Sequence, residues 1–231
     1  MMNTEQYNRF NDLPWNKEAL DVVVGGAGGI GSWLTLFLSR IGHNIYLFDH
    51  DKVEEVNIGG QFYSKDNIDK YKSRECYNNV LKFSNKYINP CLKYTDQYMP
   101  IMFSCFDNME ARKSMFNVWS SEPDRQIFID GRMLAEQMQI FTLTSDDEEN
   151  IEKYRDEYLF DDSEVEDQPC SARATSHCGA MIASYMTSIF TNYLSNKYQG
   201  FDIRNVPFSL KIDLPILTHN IEFNDAIENS L

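Results

Sequence analysis

Residues 21–25 (DVVVG) form a short β-branched run with no polar alternation, the pattern of a strand buried on both faces. Beyond a glycine-rich turn, Trp33, Leu34, Phe37, Leu38 and Ile41 recur at steps of three and four, which predicts a helix with one buried stripe. Gly42 is placed to end it as a C-terminal cap. The run NIYLFD at 44–49 predicts a second strand that finishes in an acid. Strand, turn, helix and strand within about 30 residues make a βαβ unit.

The pattern continues with a helix predicted over 66–88, with Asp66 as its N-cap, and a strand over 93–99. A third apolar run, 102–107, again ends in an acid. A helix over 108–119 would turn Met109, Met115, Phe116 and Trp119 to the core. Residues 126–133 and 137–144 read as two strands joined by a turn, and 177–198 as a long amphipathic helix. The segments 206–215 and 216–223 read as a closing pair of strands. No internal repeat and no linker divides the chain, so 1–231 is expected to be a single domain.

Composition narrows the class. Apolar residues make up 42% and charged residues 24% of the chain, which suits a packed globule and argues against disorder. The net charge is −14, and segment 146–167 supplies most of it with twelve acids against two bases. That segment is expected to be a solvated loop or a marginal helix, and serves as a possible lid or a dock for a basic partner. A nucleic-acid partner is disfavoured, since counterion release needs a positive face. No run reaches the roughly 18–20 apolar residues of a membrane span. The start lacks a basic-then-apolar signal pattern, so a cytoplasmic setting is expected. The five cysteines include no C-x-x-C pair, which gives neither a disulfide framework nor the usual zinc spacing.

The chemistry begins at Gly26-Ala27-Gly28-Gly29-Ile30-Gly31, a G-x-G-x-x-G turn between strand and helix. Glycines Gly26, Gly28, Gly29 and Gly31 would let backbone approach a phosphate, and the helix N-terminus supplies free N–H groups. Asp49, at the end of the next strand, stands where an acid bonds a ribose hydroxyl. The turn alone does not choose between NAD, FAD and ATP. The fold class expected is α/β, a Rossmann-like mixed sheet whose parallel nucleotide-binding half is followed by antiparallel strands.

Three further stretches carry a resemblance. Asp49-His50-Asp51-Lys52-Val53-Glu54-Glu55-Val56-Asn57-Ile58-Gly59-Gly60-Gln61 resembles the D-x-D-x-V-E-x-x-N-L-x-R-Q pattern of the ThiF family, the ubiquitin-activating-type adenylyltransferases. Residues 66–72 (DNIDKYK) resemble that family's D-(I/V)-G-x-x-K, and Asp107-Asn108 with Arg112 resemble its D-N-x-x-x-R. The likeness runs from about residue 7 to 135 and is looser beyond. It implies ATP and Mg²⁺ as cofactors, with Asp49 on the ribose and Asp51, Asn57, Gln61 and Lys72 around the nucleotide. It further implies that Asp107 binds the metal and Asn108 shapes the same turn. The implied reaction is adenylylation of the C-terminal carboxylate of a ubiquitin-like or sulfur-carrier protein, in a homodimer.

The sequence departs from the pattern where the arginine before Gln61 is Gly60. Arg9 resembles the arginine that family dimers lend to the neighbouring subunit, and Arg112 and Arg132 are other candidates to replace the lost charge. Cys170, in Pro169-Cys170-Ser171-Ala172-Arg173, stands where thioester-forming relatives carry their nucleophile. A nearby cation and helix start would lower its thiol pKa. Cys178 is expected to face the core. Two other classes share the glycine turn: an NAD-dependent oxidoreductase, and a non-catalytic nucleotide-binding relative, which Gly60 favours.

Overall fold

A computed structural model describes residues 9–84, 86–160, 175–199 and 202–223. β1 (Asp21–Gly25), β2 (Asn44–Phe48), β3 (Ile88–Cys91), β4 (Ile101–Ser104) and β5 (Ile127–Leu134) lie parallel. β6 (Gln137–Thr144), β7 (Ser209–Asp213) and β8 (Thr218–Glu222) continue the sheet antiparallel. The eight strands run in the order β3-β2-β1-β4-β5-β6-β7-β8. The expected parallel half and antiparallel half are therefore one continuous sheet.

The parallel strands are apolar on both faces because helices cover both. On one face, α1 (Gly31–Arg40), α2 (Lys72–Leu81) and α5 (Ser176–Gln199) bury Val22, Val24, Leu34, Leu38, Ile182 and Phe190 with the sheet. On the other, α3 (Met109–Ser121) and α4 (Glu148–Glu157) bury Val23, Phe116, Trp119, Phe128 and Tyr154. The expected core residues of α3, Met109, Met115, Phe116 and Trp119, are all buried. Gly42 closes α1 with φ 97°, a conformation that disfavours a Cβ.

Three expectations change. The helix expected over 66–88 is only α2, and residues 65–67 make a separate 3₁₀ turn. Ser64, not Asp66, opens that turn, in a reciprocal bond with Asn67. Asp69 at φ 65° then breaks the path into α2. Asn67 is instead pinned from the side: it donates to Glu75 at 2.5 Å and accepts from Asn79 at 2.9 Å. Residues 93–99 are loop, the strand lying earlier as β3, where Pro90 suits an edge. The acidic stretch is in its first half an ordinary helix, α4, whose Ile151 and Tyr154 are buried in the core. That half is fixed to the sheet and cannot serve as a lid, and 161–167 lie outside the described residues.

His43, just past α1, is buried against Phe190, and its Nδ1 accepts the Leu20 N–H at 3.2 Å. Burial, with the nearby charge of Lys86, holds its pKa down to about 4. The folded state therefore keeps His43 neutral, while the unfolded chain protonates it near pH 6.5. Stability from this group is intact above pH 6.5 and declines as pH falls towards 4, by up to about 3 kcal/mol. His43→Gln, which does not titrate, should flatten thermal stability across that window; an unchanged slope would assign the acid limb to other groups.

Candidate nucleotide site

The parallel half turns direction at β1, with β2 and β3 on one side and β4 and β5 on the other. Open α/β sheets bind ligands at such a switch point, beyond the carboxyl ends of the strands. A cleft of about 900 Å³ lies there, lined by the loops that leave β1, β2, β3 and β4.

The glycine turn forms its floor. Gly26 has φ 90°, and a Cβ there would come within 2.7 Å of the Cys105 carbonyl. A Cβ on Gly31 would meet the Gly26 carbonyl at 1.9 Å, so Gly31 lets α1 pack under the turn and does not itself line the cleft. Over Gly28 a Cβ would meet nothing within 4 Å, which leaves the backbone open to a ligand. No side chain caps the first turn of α1, where the Ser32 N–H donates to the Gly28 carbonyl at 3.2 Å, and the positive end of the helix dipole favours an anion.

Asp49 ties the floor to the wall. Its Oδ2 accepts the Ala27 N–H at 2.7 Å and its Oδ1 the Asp51 N–H at 2.8 Å. Burial raises its pKa, opposed by the Ala27 N–H and by Lys72. Each oxygen keeps a lone pair for a further donor.

Lys72 is the first residue of α2, where the helix dipole disfavours a cation. It is held there because Asp51 Oδ2 lies 3.0 Å from its Nζ, and its own N–H donates to the Asp51 carbonyl. Tyr63 and Ser73 lace the same corner, with Tyr63 donating to the Ala27 carbonyl at 2.7 Å and Ser73 to the Asp49 carbonyl at 2.9 Å. Asn57 and Gln61 also line the cleft. Asn57 fixes its 3₁₀ turn by accepting the Glu54 N–H, while the buried Gln61 Oε1 has no partner among the described residues.

Past β4, Asp107 is exposed to the cleft and Asn108 caps α3, accepting the Ala111 N–H at 2.8 Å. The lining carries five acids, Asp49, Asp51, Glu54, Asp107 and Glu110, against the lysines Lys72 and Lys93. A polyphosphate could enter so acidic a cleft only with a divalent cation. An exposed carboxylate beside a phosphate fits Mg²⁺, which takes one or two carboxylates and keeps its waters. Among the described residues no cluster of three or more His, Cys, Asp or Glu could cage a metal alone. The donor set thus suits a metal that arrives with its nucleotide.

Of the residues singled out in the sequence, Gly26, Gly28, Gly29, Asp49, Asp51, Asn57, Gln61, Lys72, Asp107 and Asn108 all line this cleft. Arg9 is exposed and does not. Neither do Arg112 and Arg132, because both guanidiniums are committed to the buried Asp130. Cys170 lies outside the described residues. Cys76 and Cys105 are buried thiols pushed up to about 12, and Cys178 is buried in α5 as expected. The sequence reading missed Lys93, Tyr94 and Phe106. Tyr94 packs edge-on to Phe48 and Phe106, an aromatic wall that a strand assignment over 93–99 had hidden.

The ThiF family model matches residues 16–218. Crystal structures similar to this fold include E. coli MccB with ATP, at 16% identity and a TM-score of 0.68, covering 96% of this chain and 72% of that one. E. coli MccB with AMPCPP and MccA is similar at 16% identity and 0.66, over the same shares. PaaA is similar at 17% identity and 0.66, over 95% of this chain and 73% of that one. No curated protein matches this sequence. No helix among the described residues is long and apolar enough to cross a membrane.

Proposed function

Because the chain belongs to the ThiF family, we propose that it is an ATP- and Mg²⁺-dependent adenylyltransferase acting on a C-terminal carboxylate. One observation carries this reading: the open glycine floor, Asp49, Lys72 and Asp107 converge on one cleft at the switch point. In the reaction a substrate carboxylate oxygen attacks the α-phosphorus of ATP. The new bond is C(O)O–P, the bond to the β-phosphate oxygen breaks, and pyrophosphate leaves. Two anions must meet, so positioning and charge neutralisation do most of the work.

Asp49 would orient the ribose from the end of β2. Lys72 would exchange its Asp51 partner for phosphate oxygens, and Asn57 and Gln61 would bracket them. Asp107 would hold Mg²⁺, whose charge screens the β- and γ-phosphates. E. coli MccB has been crystallised with the peptide MccA, which supports a peptide or small protein as substrate. Within that class a ubiquitin-like or sulfur-carrier tail is the form proposed here, activated in the cytoplasm.

Two finer steps belong to the same proposal. Gly60 removes one phosphate cation and Asp130 keeps Arg112 and Arg132 from replacing it, which favours Arg9 lent across a homodimer. The first turn of α5 packs on the glycine floor, a Cβ on Gly179 falling 2.3 Å from the Gly29 carbonyl. Cys170 precedes Thr175 by five residues, a reach of at most ~18 Å. That place in the sequence, just before α5, supports Cys170 as acceptor of the activated acyl group.

Calorimetry with Mg-ATP and with NAD, on wild type and Asp107→Ala, tests the reading. Mg²⁺-dependent ATP binding that is lost in Asp107→Ala is expected. NAD binding indifferent to Mg²⁺ would move the protein to the oxidoreductases, and binding of neither would end the nucleotide reading. Mg-ATP binding without pyrophosphate exchange, in the presence of any carboxylate peptide, would favour the non-catalytic relative. Arg9→Ala should lower that exchange, and Cys170→Ala should abolish any thiol-labile adduct.

A further inference from the structure

Among the described residues, the antiparallel half of the sheet has one face covered by α5 and another covered only in part. Met138, Ile140, Leu210 and Ile212 point to the α5 side and are buried. On the opposite face, among the described residues, α4 covers Phe141 and its Tyr154 reaches Arg132, while Gln139, Lys211 and Asn220 line an open groove. The next position along the strands is polar in all four. Pairing registers set Arg132 opposite Gln139, Gln139 opposite Lys211, and Lys211 opposite Asn220. Side chains in register across neighbouring strands share a face, so these four form one row about 14 Å long.

The row lines a groove of about 450 Å³ that is separate from the cleft but shares one wall with it, Met133. Two features mark it as unfinished. Gln139 Nε2 is buried with no partner among the described residues. A buried donor left unpaired is destabilising, and an incoming acceptor would relieve that cost. Lys211 is exposed and makes no ion pair among the described residues. The charge is equally telling. The groove lining holds Arg132 and Lys211 against one acid, Asp213, which accepts from Gln137 at 2.9 Å and keeps its charge. In a chain of net charge −14 this lining is left with one positive charge in surplus.

We infer that this row binds the C-terminal tail of the carboxylate substrate and selects a tail bearing an acidic side chain, which Lys211 pairs and Gln139 helps to seat. The inference rests on the adenylylation reading, since the shared wall at Met133 is what would deliver the terminal carboxylate to the nucleotide. Lys211 lies two strands from β5, about 10 Å, or three residues of extended chain. The acid should therefore fall about three to five residues before the terminus. A tail apolar at those positions would leave Lys211 and Gln139 unanswered.

Display of random heptapeptides with free C-termini on wild type, Gln139→Ala and Lys211→Glu, with and without Mg-ATP, tests this. Wild type should enrich Asp or Glu at those positions about tenfold, Gln139→Ala should weaken the enrichment, and Lys211→Glu should exchange it for Lys or Arg. Pools apolar at those positions, unenriched pools, or an acidic preference that survives Lys211→Glu would each overturn it. Calorimetry of Mg-ATP on the same proteins reads the cleft separately. Loss of ATP binding in wild type would sink the adenylylation reading, whereas acidic selection without ATP would still stand for the groove.

Discussion

Asp130→Ala should cost the fold about 3–5 kcal/mol, against the 5–15 kcal/mol by which a domain is normally stable. Asp130 is fully buried in β5, where that strand pairs with Ser104 of β4. Its Oδ1 accepts from Arg112, and its Oδ2 accepts from Arg132 Nε at 2.7 Å and from the Tyr154 hydroxyl at 2.9 Å. Arg132 is further sandwiched by aromatic rings, 4.8 Å from the Phe141 centroid and 5.6 Å from that of Tyr154. Burial, and the like charge of Arg132, already draw the Arg112 pKa down to about 10. Removing the one acid would leave two cations facing each other in the interior. Urea unfolding of Asp130→Ala and of the triple variant Arg112→Met, Asp130→Leu, Arg132→Met checks this. The triple variant should recover much of the loss, because apolar residues of similar volume often replace a whole buried ionic cluster without penalty. A single-variant loss below 1 kcal/mol would mean that water reaches the cluster.

Lys72→Ala should weaken Mg-ATP binding about 10- to 100-fold while leaving the fold intact. The lost contact is a charge-assisted hydrogen bond, worth about 1.5–3 kcal/mol. The fold should not suffer, because the Lys72–Asp51 pair is half open to water on the Asp51 side and such pairs contribute little. Lys72→Arg should restore only part of the affinity, since a forked guanidinium does not occupy the place of a compact ammonium at the first turn of α2. Calorimetry separates these outcomes, and equal affinity in Lys72→Ala would remove the lysine from the phosphate site.

Much of the site was legible because its signals are local. The run at 21–25, the glycine turn and the acid ending at Asp49 sit within about 30 residues and fold as one βαβ unit. Ten of the residues singled out from the sequence share one cleft. What failed was non-local. Arg112 and Arg132 read as free cations because their partner, Asp130, is set across β5 by tertiary packing that no periodicity records. The helix expected from residue 66 was broken by Asp69 and by side-chain bonds from Asn67 to Glu75 and Asn79. The polar row across β5 to β8 was invisible for the same reason: its members are spread from residue 132 to 220.

β5 belongs to both halves of the sheet. Ile127–Asp130 pair with β4 beside the cleft, and the same strand runs on through Leu134 with β6 as its neighbour. No hinge can open between the two parts without breaking a continuous strand. The spacing from cleft to groove is therefore a fixed length, set by a pitch of about 3.3 Å per residue. On the adenylylation reading the sheet would measure its substrate as a ruler does: a tail too short would fail to present its carboxylate, and one too long would overshoot.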